Sequence, residues 1–396
     1  MKRPAVVIVC GALIVTLAMG VRQTFGLFLP EMSAALDIGR GTFGLALAIQ
    51  NLLFGLVQPF VGAIADRHGA GRVVAVGALV YALGLIGAAM TGSALGLHIT
   101  FGVIVGMAQS ATTFVVVLGA VGRVVPEAQR SLAFGMVTAG GSLGQFLVVP
   151  AGQMLLGDFG YRTALMVLAG VVAVAAALSV GVAGKPQPAR GEGPDQPLGS
   201  ALAEAASNRS FQLLTAGFFV CGFHIAFIAT HFPAYLADKG LGASIGATVL
   251  ALVGLFNIFG SYVFGLWGDH APKKLLLSGL YAARGLIIVV YLLLPVSPAS
   301  TLVFAAAMGF LWLGTVPLTS GLIGQIFGVR YLSMLYGIVF LSHQVGSFFG
   351  AWLSGALYDL SGSYDAAWGA SIALAVIAAL LHLPIRAVPV ARLQPA

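Results

Sequence analysis

Two arginines and three histidines, Arg22, Arg284, His224, His231 and His343, fall inside stretches made otherwise of apolar residues. A charge at the centre of a bilayer costs at least about 2.5–3.5 kcal/mol, so such a residue has a partner or a task. The twelve acidic residues, at positions 31, 37, 66, 127, 158, 192, 195, 204, 238, 269, 359 and 365, all lie between those stretches or at their ends. The chain therefore offers no carboxylate in mid-stretch, and the missing anion is expected to be a bound solute. Arg22, with Gln23 beside it, is the first candidate for that contact; snorkelling or a bond to carbonyls near Pro30 is the structural alternative. Arg284 is expected to make a structural bond to neighbouring carbonyls. His224 and His231 are seven residues apart, two helical turns, and so share one face. They are candidates for solute contact, His224 also for carrying a proton, with plain interhelix hydrogen bonds as the alternative. His343, followed by Gln344, is the first choice for a proton carrier that also contacts the solute, because imidazole titrates near neutrality. Asn257 and Thr315 complete the expected binding set. Gln50, Asn51 and Gln109 are weaker candidates, since neutral polar groups often serve only to pack helices.

The stretches that must position these groups dominate the chain. Of 396 residues 59% are hydrophobic and 8% charged, with a mean hydropathy of +1.01, whereas a soluble domain is about 45–50% apolar and about 25% charged. No core hides that much apolar surface from water. The 54 glycines and 17 prolines suit packed membrane helices. The excess of seven positive charges is scattered through short gaps instead of clustered on one face, which argues against nucleic acid. Cys10 and Cys221 both sit in apolar surroundings and imply neither a disulfide framework nor a zinc site. The first apolar run continues past Leu27, too long for a removable signal peptide, and only a few residues precede Cys10, too few for a lipoprotein signal.

A membrane helix needs about 20 apolar residues. Such runs fall at 5–29, 42–65, 73–95, 97–121, 131–156 and 163–184, and again at 210–236, 245–268, 275–295, 300–326, 332–357 and 367–388. The expected architecture is an all-α membrane protein of twelve transmembrane helices: a six-helix bundle over 1–184, a cytoplasmic linker over 185–209 and a second bundle over 210–396. A short surface helix is expected at Ser200–Ser207. The halves match at an offset of 203 residues: Pro30 with Pro233, Gly62 with Gly265, Asp66 with Asp269, Gly152 with Gly355, and Tyr161 with Tyr364. Duplicated six-helix halves are a transporter architecture, with the substrate site expected near the membrane midplane at the repeat interface. Fourteen Lys and Arg fall on one face of this topology and three (Arg40, Arg162 and Lys239) on the other, so both termini are expected in the cytoplasm.

The gap after the second run reads Gly62-Ala-Ile-Ala-Asp66-Arg67-His-Gly69-Ala-Gly-Arg72, and its partner reads Gly265-Leu-Trp-Gly-Asp269. This resembles the G-x-x-x-D-R-x-G signature loop of the major facilitator superfamily. The resemblance implies a gate in which the aspartate meets a helix N-terminus or an arginine. Trp312-Leu-Gly-Thr315-Val-Pro317-Leu-Thr319-Ser320, Phe340-Leu-Ser-His343-Gln344-Val-Gly346, and Gly20-Val-Arg22-Gln23-Thr24 look like the bacterial monocarboxylate-porter-like branch, near the oxalate/formate and lactate carriers. Carriers of that kind often place an arginine in the eighth helix, where this chain has Asn257 and Ser261.

No Walker loop or H-E-x-x-H pair is present. The expectation is a monomeric secondary carrier of the cell inner membrane, not an enzyme, with no cofactor and no metal. It would move a small organic anion, a carboxylate, by alternating access with proton-coupled uptake. Alternatives are a proton-coupled exporter of drugs or metabolites, weakened by the separation of Gly144 from Pro150 in the fifth helix, an anion exchanger, and a transporter-like sensor without flux.

Overall fold

The computed structural model describes residues 3–38, 40–184, 196–241 and 243–393. Among these the regular structure is entirely helical. Eleven helical stretches are long and apolar enough to cross a membrane. One of them contains the helix Arg130–Val182, whose 53 residues would reach roughly 80 Å at 1.5 Å per residue, far beyond a hydrocarbon core of about 30 Å. It is interrupted at Gly160, where φ is +72° and ψ is 167°, a conformation that glycine adopts without strain. The break lies between the two apolar runs read from the sequence, so this stretch supplies two spans and the total is twelve.

The spans are Pro4–Gln23, Arg40–His68, Ala70–Met90, Ala94–Val124, the two halves of Arg130–Val182, Arg209–Asp238, Ala243–His270, Lys273–Leu293, Pro298–Phe327, Leu332–Ser361 and Asp365–His382. They form two compact units. The first comprises Met1–Val125, Val137–Arg190 and Val329–Gly337; the second comprises Pro126–Met136, Gly191–Gly328 and Ile338–Ala396. Each unit thus takes one short segment from the other half of the sequence. Residues 185–195 of the expected linker, with Lys185 and Arg190, lie outside the described residues, as do the side chains of Pro30, Pro233 and Gly355. The later part of the linker forms the helix Leu198–Ser207.

The fourth and tenth spans are broken. The fourth passes through a π-helical segment, His98–Ile104, and leaves helical geometry at Thr113 (φ −114°, ψ −167°) before resuming at Phe114. The tenth starts at a Ser297–Ser300 capping box, ends its first helix at Phe310 and restarts at Thr315. Free backbone groups at membrane depth must be satisfied within the protein, which puts polar side chains opposite these breaks. The core of the second unit is aromatic: Phe232 and Trp368 lie 5.8 Å apart edge to face, and Tyr291 and Phe304 lie 4.4 Å apart. Large apolar side chains on the outer helix faces, such as Phe60, Leu83 and Val303, are exposed, as lipid-facing positions require.

Candidate functional site

In the first unit, Arg22 lies in the last turn of the first span. Its Nη2 donates to Asn51 Oδ1 at 2.5 Å, and its guanidinium sits 5.3 Å above the buried Phe54 ring. Nε has no partner. A neutral amide and a ring face are weak compensation for a full charge, and no carboxylate joins them among the described residues. Gln23 is exposed and donates to Gln145 Oε1 at 3.2 Å. Gln50 is buried and turned away, donating to the Phe101 carbonyl.

In the second unit, polar groups converge on the broken tenth span. Arg284, fully buried on the ninth span, donates through Nη2 to the Leu311 carbonyl at 2.7 Å and to the Trp312 carbonyl. Asn257 Oδ1 accepts the Leu313 N–H at 2.9 Å and the Ser261 hydroxyl at 3.2 Å. Together these side chains bond the backbone that the interruption frees. Thr315, first residue of the restarted helix, lies 3.2 Å from Cys221 Sγ, and His343 is close enough to Cys221 to act on it electrostatically. His343 donates through Nδ1 to Gln344 Oε1 at 3.1 Å and stacks on Phe340 with ring centroids 5.2 Å apart.

His224 and His231 occupy one helix face, as their spacing requires, and each bonds a neighbouring span. His224 Nε2 donates to the Ser371 carbonyl at 2.8 Å. His231 Nε2 donates to the Ala351 carbonyl at 2.7 Å, and its Nδ1 is 3.3 Å from the Tyr364 hydroxyl. Of the residues expected to bind solute, the structure therefore brings Thr315, His343 and Gln344 into one cluster through Cys221. Asn257 reaches the same span break through backbone, and His231 stands apart beside Tyr364.

The two signature loops occupy repeat-related positions. The buried Asp66 carboxylate pairs with Arg123 Nη1 at 2.7 Å and accepts the Met334 N–H at 2.9 Å. Asp269 accepts the Ser131 and Leu132 N–H groups at 2.8 and 2.9 Å. Met334 and Ser131 are separated by the same 203 residues as the aspartates, so the duplication extends to the contacts. In each case a carboxylate meets the first turn of a helix, where amide donors are free and the dipole favours negative charge. A Cβ on Gly62 would lie 2.6 Å from the Ser333 carbonyl oxygen, and one on Gly265 would lie 2.8 Å from that of Ser131, so both positions exclude a side chain. Gly69 turns the chain into the third span at φ +95°. Arg67 and Arg72 are exposed.

Sequence reasoning missed two members of these sites. Arg123 reads as one more loop charge, 57 residues from Asp66, and no spacing signals the pair. Cys221 reads as an apolar filler; only Arg284, in a span without a carboxylate, hints at a polar cluster there. Among the described residues no group of three or more His, Cys, Asp or Glu is placed to hold a metal.

Comparison with known proteins agrees with this geometry. The chain is 28% identical to Monocarboxylate transporter 11 of Homo sapiens over 391 residues, covering 94% of this chain and 81% of that protein. It is 24% identical to the uncharacterized MFS-type transporter YcxA of Bacillus subtilis, covering 87% of this chain and 85% of that one. The fold matches the Escherichia coli fucose:proton symporter FucP with a TM-score of 0.76 at 14% identity, over 95% of this chain and 97% of that chain. The profile of the Major Facilitator Superfamily matches residues 11–323. With its twelve spans, its paired signature loops and a family match over most of its length, the chain belongs to the Major Facilitator Superfamily and is a transporter, not an enzyme.

Proposed function

We propose that the chain is a secondary carrier of a small organic anion, a monocarboxylate, that works by alternating access and couples uptake to protons. The observation that carries the reading is Arg22: a cation within the first span, held by a neutral amide and an aromatic face, with Nε left without a partner. A planar guanidinium binds a carboxylate through two parallel bonds, so an anionic cargo completes what the chain leaves open. The similarity to monocarboxylate transporters supports the same class. The histidines, His343 first and His224 second, are the proposed proton carriers, in place of the mid-span carboxylate that the chain lacks. Gln23, His231, Asn257, Thr315 and Gln344 complete the proposed binding set. The loops at Asp66 and Asp269, with Gly62, Arg67, Gly69, Arg72 and Gly265, form the gate. The excess of Lys and Arg on one face supports a topology with both termini in the cytoplasm, and the carrier is read as a monomer in the plasma membrane.

Reconstitution into proteoliposomes tests this reading. Labelled acetate and lactate should accumulate when the interior is made alkaline, and the accumulation should collapse with the pH gradient. Absence of uptake for every short monocarboxylate tried would refute the cargo class. Uptake that needs a trapped internal anion and ignores the pH gradient would replace symport with exchange.

A further inference from the structure

Arg284 is fully buried, yet most of its hydrogen-bonding capacity is idle. Nη2 is directed at the Leu311 and Trp312 carbonyls and lies 3.8 Å from Cys221 Sγ. Nε and Nη1, which carry three more N–H donors, bond to nothing. Leaving the donors of a buried ion unpaired is among the most unfavourable arrangements in an apolar interior. Among the described residues no carboxylate offsets the charge: Asp269 is engaged by the Ser131 and Leu132 amides, and Glu204 by Arg392. Asp238 and Asp365 stand at the ends of their helices. Tyr281 presents its ring face 5.4 Å away.

The groups around the guanidinium are those of an anion receptor. The Thr315 hydroxyl and the Cys221 thiol meet at 3.2 Å beside it, and both can donate. His343 lies within electrostatic reach of Cys221, and His224, within range of the Arg284 charge, keeps Nδ1 without a partner. The carbonyls that Arg284 does bond belong to the interruption of the tenth span, so the unpaired donors lie where the backbone is already unwound. In membrane carriers, irregular backbone at this depth is tolerated where it lines a binding site.

We propose that Arg284, with the hydroxyl of Thr315 and the thiol of Cys221, binds a small monovalent anion, a carboxylate or a halide, inside the second unit and in addition to any contact at Arg22. The site goes beyond the cargo reading and stands without it, because a resident chloride would satisfy the same donors.

Thermal unfolding of the purified full chain, titrated with sodium acetate or sodium chloride in a constant sodium sulfate background, tests the site. At least one of the two anions should raise the Tm of the wild type and, by a similar amount, of Arg22→Gln. Thr315→Val, which leaves Arg284 and its carbonyl bonds in place, should weaken the half-saturating concentration about tenfold, the loss of one charge-assisted hydrogen bond. Arg284→Lys keeps a cation for the two carbonyls but loses the extra donors, and should lose most of the shift. A response to acetate alone makes the site one for carboxylates, and a response to chloride makes it one for halides; both uphold it. A wild-type response retained in full by Thr315→Val and Arg284→Lys, or abolished by Arg22→Gln alone, overturns it, as does the absence of any shift in the wild type. Failure of carboxylate uptake with the chloride shift intact would sink the cargo reading and leave this site standing.

Discussion

The Asp66 carboxylate accepts the backbone N–H of Met334, a residue 268 positions away, while its other oxygen holds Arg123. One side chain thereby ties the ends of three spans: the second carries Asp66, the fourth Arg123 and the eleventh Met334. In the proposed alternating-access cycle this contact forms in one conformational state and dissolves in another, so it would set a rate as much as a stability.

Asp66→Asn should reduce turnover roughly tenfold while membrane insertion and folded yield stay near normal. Asparagine keeps an acceptor for the Met334 amide but loses the charge pair with Arg123, a charged hydrogen bond of about 1.5–3 kcal/mol. Asp269→Asn should act in the same direction and more mildly, because its partners are the Ser131 and Leu132 amides and one of its two acceptor oxygens survives. Initial uptake rates normalised to folded protein decide the matter; wild-type rates in Asp66→Asn would remove its gating role.

Arg22→Lys should retain part of the affinity for a carboxylate and Arg22→Gln almost none. Ammonium is a point charge that cannot form the two parallel bonds of guanidinium, and glutamine has no charge at all. Equilibrium binding by the two purified variants reads the difference. Equal and near-normal affinity in both would make Arg22 a structural residue, serving only Asn51 and Phe54.

His343→Gln should flatten the pH dependence of uptake. A protonated imidazole would add positive charge near an anionic cargo, so affinity should be highest at acid pH and fall as pH rises. Glutamine keeps a polar bond beside Gln344 and removes the titration. Should His343→Gln and the paired His224/His231 changes all leave the pH profile unaltered, histidine coupling fails and anion exchange is the better mechanism.

Gly346→Ala should sharply lower folded yield, whereas Gly369→Ala should not. A Cβ at Gly346 would run into the Phe219 carbonyl on the seventh span, and the neighbouring Gly350 meets Phe223 in the same way. Overpacking of this kind costs about 1–3 kcal/mol or more. Gly369 is exposed with nothing near its missing Cβ, so alanine there meets open space. Size-exclusion profiles of the two variants in detergent distinguish them.

Composition and period alone determined that this chain crosses a membrane twelve times in two repeated halves, because lipid obliges each span to be long, apolar and internally hydrogen-bonded. The aspartates and glycines of the signature loops were legible for a related reason: a repeat at a fixed offset is a property of the chain itself. Partnership was not legible. Arg123 finds Asp66, Asn257 and Arg284 find the backbone freed between Phe310 and Thr315, and Cys221 joins Thr315 to His343 only because separate spans pack side by side. Nor does the pattern of residues reveal that the tenth span breaks, since an apolar run reads the same whether its middle is wound or open. Sequence sets which groups are too polar to leave alone in lipid; tertiary packing alone decides which of them satisfy one another and which, like the free nitrogens of Arg22 and Arg284, remain without a partner.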